Sequence, residues 1–241
     1  MHRFFVSQLD VVDDVQALIC SEDLVHQFTK VLRFGKGEQV ILLDGKGKEF
    51  LVELQELGSK KIIAKVLSQK KCETELPIKL VVAQSLLKNF ERFEWVLQKG
   101  TELGVSVFVP MITDRTERKF AGKTERMQRI LKEAAEQSGR GMVPEICEPM
   151  SFEEILKKWK FILMPELAAG HGLIDFLKKF DSKVSMPGEI LICVGPEGGF
   201  SEREVEMAKR ADVKLVFLGK RTLRSETASI LTAGMVAQWI K

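Results

Sequence analysis

The sequence predicts two domains of different class. A small β-rich domain is expected over 1–72, and a larger α/β domain with a mainly parallel sheet over 73–241. Three observations predict this. Short apolar stretches over 3–6, 38–43, 49–54 and 61–67 are separated by Gly-Lys and Gly-Ser turns, the pattern of hairpin-linked strands. From residue 78 onward, strand-like and helix-like runs alternate, which argues for a parallel sheet with crossover helices. The run at 191–195 is nearly all apolar, as suits a strand covered on both faces. A length of 241 residues accommodates two domains.

In the first domain, Asp44-Gly45 between two apolar stretches predicts a hairpin turn. A short helix is expected over 22–31, with Ser21 as its cap. The polar segment 68–77 ends in proline and reads as a linker. In the second domain, strands are expected over 78–85, 105–111, 161–165, 189–195 and 213–218. Helices are expected over 90–103, 124–138, 152–158, 202–211 and 226–240. Gly104 stands just past the end of the first of these helices.

Composition excludes several classes. Charged residues make up 29% and hydrophobic residues 45%, so most of the chain has enough apolar content to fold. The formal net charge is only +3, too small for a tail-driven nucleic-acid binder. It is unevenly spread: residues 1–75 hold 11 Lys+Arg against 12 Asp+Glu, and residues 76–241 hold 26 against 22. A local basic patch therefore belongs mainly to the second domain. No run approaches the ~20 apolar residues of a membrane span. Cys20, Cys72, Cys147 and Cys193 lie far apart with no CxxC pair, which reads as reduced thiols in a cytoplasmic protein with no zinc site.

Three strings could carry chemistry. The sharpest is Gly195, Pro196, Glu197, Gly198, Gly199, Phe200 and Ser201, placed between a buried strand and a helix. Ser201 and Glu204 have capping-box spacing, and the glycines let a ligand approach the main chain. Strand C-terminal ends are where α/β folds bind ligands. Neither GxxxxGK[ST] nor GxGxxG occurs, which counts against a nucleotide-dependent enzyme of Rossmann type. The second string runs from Leu218 to Ala228 and crowds Lys220, Arg221 and Arg224 before a helix that Ser225 or Thr222 could cap. Three cations at a positive helix N-terminus make sense if an anion docks there. The third runs over 99–140 and carries Lys99, Arg115, Arg118, Lys119, Lys123, Arg126, Arg129, Lys132 and Arg140. It fits a solvated helix face as well as it fits an RNA-backbone or subunit contact.

These strings resemble, in order and over essentially the full length, the RsmE-type 16S rRNA (uracil-N3)-methyltransferases of the SPOUT superfamily. The resemblance also includes Met1 to Phe5, His26 with Val31, Leu32 and Arg33, the Lys99, Glu102, Leu103, Gly104 and Val105 set, and the stretch Glu133 to Arg140. It implies a PUA-like RNA-binding barrel, a C-terminal deep trefoil knot and a homodimer joined through the knot domain. It also implies S-adenosylmethionine (SAM) as cofactor and a decoding-region uridine of 16S rRNA, in the 30S subunit, as substrate. Carried over by position, the cofactor loops are Leu163, Met164, Pro165 and Glu166; Val194, Gly195, Pro196, Glu197, Gly198 and Gly199; and Leu218, Gly219, Leu223, Ser225, Glu226, Thr227 and Ala228. Thr222 departs from the bulky aliphatic residue common there.

Methylation at uracil N3 requires loss of its proton and stabilisation of charge spreading to O2 and O4. A guanidinium suits that charge. Arg224 is the first candidate and Arg115 the second, with Glu226 as a candidate proton acceptor. A helix N-terminus would lower the pKa of Glu226 and weaken it as a base. Arg3, Arg33, Lys99, Arg126, Arg129 and Arg140 are the candidate RNA contacts. The rival readings are a methyltransferase for ribose 2′-O or another base, and a non-enzymatic ribosome-assembly factor.

Overall fold

A computed structural model describes residues 1–7, 10–117, 124–179 and 187–240. The chain divides into two compact units: Met1–Glu75 with Ala135–Val143, and Leu76–Ala134 with Pro144–Lys241. Residues 135–143 therefore cluster with the first unit although they lie far along the chain.

The first unit is a six-stranded half-barrel. Its strands are β1 (Arg3–Phe5), β2 (Val11–Val12), β3 (Gln16–Ile19), β4 (Gln39–Leu43), β5 (Lys48–Leu57) and β6 (Ile62–Lys71), in the order β1-β4-β5-β6-β3-β2. Only β1 and β4 pair in parallel. The β4–β5 hairpin turns at Asp44, whose carboxylate accepts from the backbone N–H groups of Lys46 and Lys48. Gly45 and Gly47 take φ of 69° and 94° there, the left-handed region open to glycine. Register shifts at Leu51/Val52 and Leu54/Glu56 bend the long β5–β6 ribbon. Phe4, Ile19, Phe28, Val40, Leu42, Val52, Leu54 and Ile62 fill the core.

Three expectations change here. The segment 68–77 is not all linker, because β6 runs on to Lys71. Strands β2 and β3 were not anticipated: β2 spans two residues and β3 four, too short for a clear alternation. The helix over 22–31 is an α-helix α1 (Glu22–His26) continued as a π-turn over Gln27–Val31. Ser21 does not cap it, because its hydroxyl donates to Asp10 at 2.9 Å.

The second unit carries an all-parallel sheet of β7 (Lys79–Ser85), β8 (Val107–Ile112), β9 (Glu145–Ile146), β10 (Met150–Ser151), β11 (Ile162–Pro165), β12 (Glu189–Val194) and β13 (Lys214–Val216). Its order is β10-β8-β7-β12-β11-β13, with β9 also on β8. The late strand β12 thus inserts between β7 and β11. Its helices are α2 (Phe90–Glu102), α3 (Thr124–Ser138), α4 (Phe152–Lys158), α5 (Leu173–Lys179), α6 (Glu202–Arg210) and α7 (Ser225–Ile240), with α3 ending in the first unit's segment. Only α5 lacked a sequence expectation. Strands β7 and β12 are buried almost throughout, as a sheet covered on both faces requires. Asn89 caps α2 by accepting from Glu91 N–H, and Ser151 and Ser201 form capping boxes with Glu154 and Glu204.

No helix among the described residues is long and apolar enough to cross a membrane. All four cysteines are free thiols, and the described residues hold no group of His, Cys, Asp or Glu suited to a metal ion.

Candidate active site

The site is built where strands end. Pro165 closes β11, Val194 closes β12, and Leu218 lies two residues past β13. The loops leaving these ends line one cavity of about 540 Å³. Of the residues expected at the cofactor, it brings together Pro165, Glu166, Val194, Gly195, Pro196, Glu197, Gly198, Gly199, Leu218, Gly219, Leu223, Ser225 and Ala228. Arg115 and Arg224 line it as well. Leu163, Met164, Glu226 and Thr227 do not. Leu163 and Met164 are wholly buried in β11 as sheet core, Glu226 is buried behind the wall, and Thr227 is exposed on α7.

The 195–201 loop is held from several directions. A Cβ at Gly195 would stand 3.1 Å from the Phe200 ring and 3.3 Å from the Gly199 carbonyl carbon, so a side chain there displaces the loop. The Phe200 ring is itself buried against Phe152. Arg115 Nη1 donates to the Gly198 carbonyl at 2.6 Å, and Lys88 N–H donates to Glu197 Oε1 at 3.1 Å. Behind the loop, Ser201 Oγ donates to Asp114 at 2.6 Å, and Arg203 forks onto the same carboxylate at 2.6 and 3.1 Å. Those bonds, Arg203's first, hold the Asp114 carboxyl below the usual range. Asp114 N–H in turn donates to Glu204 of the capping box. The loop after β8 is thereby tied to the start of α6.

A second clasp joins α7 to the sheet. Ser225 Oγ donates to the Gly195 carbonyl at 2.5 Å and accepts from Gln84 Nε2 at 2.9 Å. Ser225 and Gln84 are buried, so this chain of bonds fixes the end of β7, the end of β12 and the first turn of α7 in one arrangement. In β12 the Cys193 thiol is pushed up by burial, which leaves it a neutral packing group.

Sequence reasoning left Arg92, Leu167, Phe200, Arg221 and Thr222 out of the site, yet all five line the cavity. Gln84 was missed beneath it. Arg221, Thr222 and Phe200 stood inside strings already singled out. Arg92 and Gln84 carried no signal, because an isolated Arg in a first helical turn and a Gln in an apolar strand have no motif.

The six expected RNA contacts separate. Arg33 is exposed and holds φ of 54°, and Arg129 is exposed on α3. Lys99 pairs with Glu102 at 2.8 Å. Arg126 forks onto Glu94 at 2.5 and 2.8 Å, with much of its side chain still in solvent. Arg3 pairs with the buried Glu49 at 2.5 Å. Arg140 does not fit an RNA contact: it is 3% exposed, and its guanidinium is spent on Glu75 at 2.5 and 3.3 Å. Arg118, Lys119 and Lys123 lie outside the described residues.

Comparison with known proteins decides the family. Residues 74–237 match the model described as an RNA methyltransferase domain, and residues 22–67 match an RNA methyltransferase PUA domain. The chain is 32% identical to ribosomal RNA small subunit methyltransferase E of Bacillus subtilis, over 98% of this chain and 96% of that one. The chain belongs to the ribosomal RNA small subunit methyltransferase E family. A relative from Aquifex aeolicus is also 32% identical, over 88% of this chain and 90% of its own. Among solved structures, the family member from Neisseria gonorrhoeae bound to S-adenosyl methionine superposes with a TM-score of 0.86 at 30% identity, covering 99% of this chain and 97% of that one. A protein from Legionella pneumophila, solved in complex with the bound cofactor SAM, gives 0.84 at 30% identity, with 99% and 97% covered.

Proposed function

We propose that the chain transfers a methyl group from SAM to N3 of a decoding-region uridine in 16S rRNA. The observation that carries this is the convergence of three strand-end loops on one cavity, in a chain whose solved relatives include two that hold SAM. The residues present fit such a group. The cavity volume lies in the range of small-molecule sites, and its wall combines main chain at Gly195 and Gly198 with the apolar Val194, Leu218 and Leu223. Glu166 and Glu197 offer acceptors, and Gly195 is packed against Phe200 and Gly199, so the loop has no room for a side chain there without a shift.

SAM supplies the methyl group from a sulfonium. The chain's own residues do the rest. Arg115 holds the Gly198 carbonyl and so shapes the loop. Arg224, exposed at the cavity, offers a permanently charged fork to the oxygens of a uracil losing its N3 proton. Holding the two reactants in line is worth roughly 7–11 kcal/mol for an ideally oriented pair.

We assign RNA docking to a domain over 1–72 and catalysis to 73–241, with Arg33 and Arg129 as RNA contacts. A deep trefoil knot of the SPOUT type is supported by β12 inserting between β7 and β11, with α7 packed on both β12 and β7. A homodimer through this domain is supported by α7 being apolar on both sides. One face is buried at Thr232, Ala233, Val236 and Ala237, while Ile230, Leu231 and Trp239 line an apolar groove with Leu103, Ile174 and Leu177. The free thiols fit a cytoplasmic place of work.

The test is methylation of 30S subunits with labelled SAM, followed by nucleoside mapping. 3-Methyluridine is expected. A 2′-O-methylated nucleoside would favour the ribose rival, and no incorporation despite SAM binding would contradict the proposal.

A further inference from the structure

We infer that Arg92 is a second guanidinium, beside Arg224, turned toward the reacting base, and that Glu226 acts as its positioning residue instead of as a proton acceptor. This rests on the proposed methyltransferase reading of the same cavity. Glu226 lies in the first turn of α7 but does not line the cavity, and it is only 5% exposed. One carboxylate oxygen stands 3.6 Å from Arg92 Nε, and the other has no hydrogen-bond partner among the described residues. A carboxylate so enclosed needs a cation beside it, and Arg92 is that cation. It reaches the cavity only through Arg92.

Arg92 is anchored at its root and faces a carboxylate at its head. Its root is set in the Asn89-capped first turn of α2, where its N–H donates to the Asn89 carbonyl. Its Nε faces Glu226, and its side chain lines the cavity while keeping 36% of its surface in solvent. The other cavity guanidiniums differ. Arg115 spends Nη1 on Gly198, and Arg221 and Arg224 stand exposed on the 218–225 loop. Arg92 is therefore the guanidinium whose direction is set from behind by a buried carboxylate. Its Nη groups have no protein partner among the described residues. Those donors match a carbonyl oxygen beside uracil N3, where charge collects as the proton leaves to solvent. Cytosine would place an amino donor against the same fork.

The experiment uses the full chain, 30S subunits and labelled SAM, with calorimetry for SAM and a pH–rate profile for turnover. Arg92→Gln is expected to leave SAM affinity unchanged and lower kcat by about 100-fold. The rising limb should move to higher pH, because the base must lose its proton without the cation. Arg92→Lys should recover part of the rate. Because Arg92→Gln strands the Glu226 carboxylate, the double variant R92Q/E226Q, which removes both charges, is run beside it. It should melt near the wild type and show the same loss. Wild-type kcat in either variant overturns the inference. So does a loss of SAM affinity with kcat intact at saturating SAM, which would give Arg92 to the cofactor. If the wild-type chain binds no SAM or forms no 3-methyluridine, the underlying reading fails; if only the Arg92 effects are absent, this inference alone fails.

Discussion

Arg140 and Arg224 both sit in cation-rich strings, yet the structure uses them in opposite ways. Arg140, in the first compact unit, is 3% exposed and paired with Glu75, which also accepts from the Gly141 N–H. Arg224, in the second unit, is exposed at the cavity on a loop that follows a parallel strand. A buried cation with its carboxylate in place is structure, whereas a cation at a strand end with a ligand-sized space beside it is a candidate for chemistry. The difference is one of partners, and partners are what a run of charges in sequence hides.

The largest expected effect breaks the structural side. Arg140→Ala leaves the part-buried Glu75 without its cation, and should cost roughly 3–5 kcal/mol of stability by denaturant titration. SAM affinity of the folded fraction should not change. On the chemical side, Arg224→Ala should lower kcat about 100-fold while the melting temperature stays near the wild type, measured by methylation of 30S subunits and by thermal shift. Arg115→Ala removes a charged hydrogen bond to the Gly198 carbonyl, worth about 1.5–3 kcal/mol, so SAM affinity should fall by roughly tenfold or more in calorimetry.

The smallest effect is a pH dependence. The Asp114 carboxyl is lowered by its bonds to Arg203 and Ser201, so its contribution to stability is fully present above the ordinary carboxylate range. It is lost as pH falls through its depressed folded value. Thermal melts of the wild type and Asp114→Asn should therefore differ most at neutral pH and converge in acid. A gap that widens in acid would contradict this.

Much of the α/β unit was legible because its strands are apolar runs and its helices carry caps. The parallel strands β7 and β12 stand out for being buried on both faces, and Ser201 with Glu204 marks the start of α6 without ambiguity. The glycine-rich loop and the 218–228 string were legible as candidate sites because glycines and cations cluster there just past apolar strands. What stayed hidden depends on distant partners. Ser21 reads as a cap by position, but Asp10 takes its hydroxyl. Leu163 and Met164 belong to a loop string by resemblance, yet the strand holds them in the core. Glu226 and Arg92 are 134 positions apart, and only the packing of α2 against α7 brings them together. Short strands such as β2 give too few alternations to detect, and strand β6 carries polar residues to Lys71 because its far end is exposed.

The central claim is that the loop begun at Gly195 is a SAM cradle whose main chain must stay bare. Calorimetric titration of SAM into the wild-type chain and into Gly195→Val tests it most directly, with circular dichroism confirming that both are folded. A side chain at Gly195 meets Phe200 at 3.1 Å, so the account predicts saturable SAM binding to the wild type and none to the folded variant. Equal affinity in both would contradict it.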